Sequence, residues 1–216
     1  MKRQYLAKIL IASAIGTSLL MSCQSTGSLD MIRELENLKG KERIEAYAEE
    51  IGRNPQPELL YNLSFHQMEE KDYKGAISTA KRALDENPEY LRMRFILLIS
   101  YRELGYGNAY GKTLEDIARE IPYDREIIEL LLDHYQEERR YDEMVKAARQ
   151  LLKLDPESEK AMSALSYESE YMKRLSGYFE LDKVIETLPE IETSSRFRED
   201  ELMDRIRERY LLPFLF

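Results

Sequence analysis

The chain has 216 residues, of which 43% are hydrophobic and 34% charged, which supplies a packed core and excludes wholesale disorder. A single cysteine excludes a disulfide framework and any cysteine-based zinc or iron–sulfur centre. With 32 Lys+Arg against 41 Asp+Glu, a net charge of −9 argues against nucleic-acid binding, and two histidines leave little material for acid–base or metal chemistry.

Residues 1–22 stand apart from the rest. Lys2, Arg3 and Lys8 form a basic start, and the thirteen residues from Ile9 to Met21 are uncharged and mostly apolar. Thirteen is short of the roughly 20 helical residues that span a bilayer, and fits the apolar stretch of a secretory signal. It closes on Leu20-Met21-Ser22-Cys23. This resembles the lipobox of bacterial lipoproteins, with an aliphatic residue three places before the cysteine and a small one directly before it. The resemblance implies lipidation of Cys23, cleavage before it, and residues 23–28 as a flexible tether. Acyl chains contribute about 0.8 kcal/mol per buried methylene, so two or three hold a protein stably at a membrane. Loss of residues 1–22 would take the charge from −9 to −12, and such an acidic body is held off an anionic lipid surface.

Residues 29–56 read as a helix pair, Leu29–Lys39 and Glu42–Arg53, broken at Lys39-Gly40-Lys41. A repeat follows. Pro88, Pro122 and Pro156 lie 34 residues apart, and Leu63, Leu97 and Leu131 recur in the same register. So do Ala80, Leu114 and Ala148, and Tyr73 and Tyr141 align around Gly107. A repeat of this length and pattern resembles the tetratricopeptide repeat, a helix–turn–helix unit that stacks into a solenoid. Its copies here span residues 57–90, 91–124 and 125–158. The residues alone point the same way. Lys71-Asp72-Tyr73 and Arg139-Arg140-Tyr141 break apolar periodic stretches, and Asn87-Pro88 and Asp155-Pro156 read as an acceptor before a proline at the first helical position. Each pair leaves an apolar face that only a stacked neighbour can cover. Residues 159–216 read as a diverged flank. It comprises helices over Ser158–Arg174 and Tyr178–Thr187, a loop, and a last capping helix Arg196–Leu211 with Leu202, Ile206 and Tyr210 on one stripe. The uncharged tail from Tyr210 to Phe216 is expected to bury itself against the solenoid end, its groove or a partner. No segment alternates with period two, so the expected class is all-α.

No catalytic constellation is legible. His66 and His134 hold the tenth position of their repeats, two units apart, too far to share a metal. The glycine-rich stretch Gly105–Gly111 follows a helix, not a strand, and reads as a turn and not a phosphate loop. No cofactor or metal is expected. The repeat resemblance implies instead a partner groove lined by the first helices. The first repeat presents Glu58, Tyr61, Phe65 and Met68; the second Arg92, Phe95, Ile99 and Arg102; the third Glu126, Glu129, Asp133 and Gln136. Apolar residues at these positions fit either a partner groove or packing beneath flanking helices. The expectation is a membrane-tethered, non-enzymatic scaffold that binds an extended segment or helix of another envelope protein, with the outer membrane as the preferred address. The alternative is a transport accessory docking on a solute-binding protein, which a closed apolar cavity would favour.

Overall fold

A computed structural model of the chain describes residues 30–166 and 195–211. The signal segment, Cys23 and the tether lie outside these residues, as do the expected helix Tyr178–Thr187 and the tail from Leu212 to Phe216. A short helix, α1 (residues 30–36), precedes α2 (Gly40–Arg53). The break falls at residues 37–39, so α1 ends three residues earlier than the sequence reading placed it. Then come α3 (Pro57–Glu69), α4 (Tyr73–Glu86), α5 (Leu91–Glu103), α6 (Gly107–Glu120), α7 (Arg125–Glu137) and α8 (Tyr141–Leu154). The first helix of each repeat begins 34 residues after the last, and so does the second. Helix α9 begins at residue 159 and is described to 166, and α10 spans Ser195–Tyr210. The described residues contain no strand.

Within each repeat the same backbone device closes the helix pair. Lys71, Gly105 and Arg139, at equivalent positions, take left-handed φ of 64°, 69° and 55°. The next amide then reaches back five residues: Asp72 N–H donates to Gln67 O (2.7 Å), Tyr106 N–H to Tyr101 O (2.9 Å) and Arg140 N–H to Tyr135 O (2.8 Å). This is a Schellman ending, and it satisfies carbonyls the helix leaves open. Only the second copy places a glycine there, which is the role of Gly105.

Between repeats the structure corrects one reading. Pro88 and Pro156 do not open helices; they sit in β-turns that precede them. Tyr90 N–H donates to Asn87 O and Ser158 N–H to Asp155 O, both at 3.1 Å, with proline at the second turn position. The Asn87 and Asp155 side chains accept from Glu89 and Glu157 amides, so they stabilise the turn and not a helix start.

The helices stack in chain order, α3 on α4, α4 on α5, and onward to α8, and α3 also touches α5 directly. Phe95, Ile96, Leu98 and Ile99 of α5 are buried on several sides because this helix is central. One close approach demands glycine: a Cβ on Gly111 of α6 would lie 2.0 Å from His134 Nε2 of α7.

Candidate functional site: the inner face of the first helices

The face built from α5 and α7 is occupied by the chain itself. Helix α10 packs across both. Tyr210 stacks on Phe95 with ring centroids 4.3 Å apart and planes 14° from parallel. Ten residues earlier on α10, Asp200 accepts from Arg102 at 2.5 Å. Phe95 lies in the first half of α5 and Arg102 near its end, so α10 runs antiparallel to α5. Ile99 lies between the two contacts and is 1% exposed. Leu202, Met203, Ile206 and Leu211 are buried.

The C-terminal end of α10 is held by acids at the start of α7. Arg209 grips Glu126 through two bonds of 2.9 and 3.0 Å and also reaches Asp124 at 2.9 Å. Arg205 approaches Glu126 at 3.9 Å. Asp124 acts twice: Oδ1 accepts from the Ile127 amide as the N-cap of α7, and Oδ2 accepts from Tyr210 Oη at 2.5 Å. Burial and this carboxylate together push the Tyr210 phenol above its usual range.

The predicted groove residues therefore fall into separate surroundings. Phe95 and Arg102 belong to the α5–α10 contact, with the buried Ile99 between them on α5. Glu129 accepts from Arg125 at 2.7 Å, and Lys160 of α9 bonds both the Glu129 carbonyl and the Asp133 carboxylate. Gln136 is half-buried near the end of α7. In the first repeat, Tyr61 is fully buried between Phe65 and Tyr90, with the Arg92 guanidinium 5.4 Å over its ring. Met68 is buried and Phe65 half-buried. Of the two arrangements the sequence leaves open, a partner groove or packing beneath a flanking helix, the second repeat shows a helix of the same chain seated over Phe95. The capping helix is present, and the surface it covers is this inner face. Asp124, Asp200, Arg205 and Arg209 were not singled out from the sequence. The signal lay in Arg205 and Arg209, four residues apart and hence on one helix face, but nothing local names their acceptors.

A second polar cluster joins α1, α2 and α3. His66 Nε2 donates to Glu36 Oε1 at 2.6 Å, and Arg43 Nη1 donates to His66 Nδ1 at 3.0 Å. Tyr47 Oη donates to the same Glu36 oxygen at 2.6 Å and accepts from Asn62 at 3.2 Å. Burial pushes the His66 pKa down, against the opposing pull of Glu36. A cavity of about 290 Å³ lies beside it, lined by Gly40, Phe65, Glu69 and Glu70 among others. Among the described residues no group of three or more His, Cys, Asp or Glu side chains could hold a metal ion.

No family model matches the chain. No curated protein matches it either. Solved structures do. A tetratricopeptide repeat protein from Parabacteroides merdae superposes with a TM-score of 0.54 at 16% identity, covering 83% of this chain and 72% of that one. MamA of strain AMB-1 superposes with a TM-score of 0.55 at 13% identity, covering 87% and 94%. The fold is a tetratricopeptide-like solenoid. Identity this low carries the architecture and nothing further. Within this solenoid, the α10 contact occupies the inner face of the second and third repeats.

Proposed function

We propose that the protein is a membrane-tethered, non-enzymatic adaptor, anchored through Cys23, whose inner face receives a helix or extended segment of another cell-envelope protein. The observation that supports this reading is the seating of α10 on α5 and α7. That face holds a helix by aromatic stacking, apolar burial and charge pairs at both ends, which are the means of helix-in-groove recognition. A ligand-holding transport accessory receives less support. The cavities beside Glu36 and beside Tyr106 are lined largely by charged and tyrosine side chains, not by a closed apolar wall.

Two experiments test the proposal. Cys23→Ser should leave an unprocessed precursor without lipid label, and normal labelling of that variant would end the anchor assignment. A photocrosslinker at Arg92, on the same helix face as Phe95, should join a single envelope protein in intact cells. Crosslinks to no protein would end the adaptor reading.

A further inference from the structure

Resting on the reading of the inner face as a helix-docking surface, we propose that α10 is an intramolecular competitor of the partner. We further propose that the partner presents a helix of matching pattern: acidic at its N-terminal end, aliphatic through the middle, and closed by an aromatic residue beside arginine. The face is bipolar. Arg102 stands at one end, and Asp124 and Glu126 stand at the other. A helix laid in the opposite direction would bring acid to acid and base to base. Between the poles, Phe95 takes a ring, and Ile99, one turn further along α5, is 1% exposed. Such terminal charges fix direction and register more than affinity.

The same geometry makes α10 exchangeable. Its Asp200 and Arg209 side chains are 65% and 49% exposed, so water competes for each pair and each contributes little. The apolar anchor is a short stripe of Leu202, Met203, Ile206 and Leu211. A partner helix with the same pattern and a longer stripe would displace it.

The test uses the full chain and a labelled synthetic peptide of residues 195–211. Arg205→Glu with Arg209→Glu releases α10 through exposed side chains alone, and Ile206→Asp releases it through the apolar stripe. Both release variants should bind the peptide at least tenfold more tightly than the unaltered chain. A face closed nine-tenths of the time raises an apparent Kd about tenfold. A peptide with Asp200 and Arg209 exchanged for opposite charges should bind the Ile206→Asp chain at least tenfold more weakly. Equal binding by unaltered and released chains overturns the competition while leaving the adaptor reading in place. Absence of binding to both released chains, with helicity intact, overturns both. Indifference to the reversed charges overturns the partner's pattern. Loss of folding in both release variants would make α10 core, and overturn the competition as well.

Discussion

His66 Nε2 donates to Glu36 while Nδ1 accepts from Arg43, so both ring nitrogens are committed in one neutral tautomer. A second proton would turn the Nδ1 acceptor into a donor facing a guanidinium. Glu36, Arg43 and Glu69 all act on the ring, and burial, the largest influence, lowers its pKa. A histidine that binds its proton less readily when folded stabilises the fold above its ordinary value and loses that contribution as pH falls. Stability should therefore be full above about pH 6.5, the unfolded value, and decline as pH falls towards the lowered folded value. Urea denaturation at pH 7.5 and 5.5 should show this decline, and His66→Gln should flatten it; equal slopes would refute the assignment. At Gly111 the constraint is steric. Gly111→Ala would set a methyl 2.0 Å from His134 Nε2 and should cost about 1–3 kcal/mol, as overpacked sites do. His134→Ala in the same chain should recover part of that loss in thermal melts.

Among the elements, the three helix pairs were legible because their signals are local. Leu63, Leu97 and Leu131 mark one packed position, and prolines 34 residues apart mark the turns between units. The Asn-Pro and Asp-Pro pairs place the helix starts three residues too early, because the same dipeptide suits a β-turn or a helix start and only the loop length decides. The docking of α10 was not legible. Leu202, Ile206 and Tyr210 announce that one side of the helix is buried, but not against what. Phe95 would be aromatic whether a partner or the same chain covered it. Asp124 carries the clearest test of this element, since one carboxylate caps α7 and holds α10. Asp124→Asn keeps a capping oxygen but removes the charge that Arg209 meets. Asp124→Ala removes both and should cost about 1 kcal/mol more than the asparagine variant. Chemical denaturation of the two variants measures the difference, and identical stabilities would remove Asp124 from the cap.

At the scale of the whole molecule, helices stacked in chain order give a nearly one-dimensional system, in which each unit leans only on its neighbours. Terminal units then open first. The α10 contact breaks this rule by joining residues 83 to 98 positions apart. Hydrogen exchange should find α5 and α7 protected together in the unaltered chain. With Arg205→Glu and Arg209→Glu, exchange should accelerate in those two helices and remain unchanged in α3 and α4. Acceleration spread evenly over every repeat would show that α10 supports the entire stack.

A solenoid stretches by letting successive inner helices swing apart, each repeat giving a little. Helix α10 lies across two of them as a chord lies across an arc, fastened to α5 at Arg102 and Phe95 and to α7 at Glu126. Tension applied along the stack would thus meet a rigid segment in the middle of an elastic chain. That segment yields in one step when the chord comes away. Under load, the second and third repeats would lengthen abruptly, and the face that α10 had covered would be bared by force alone.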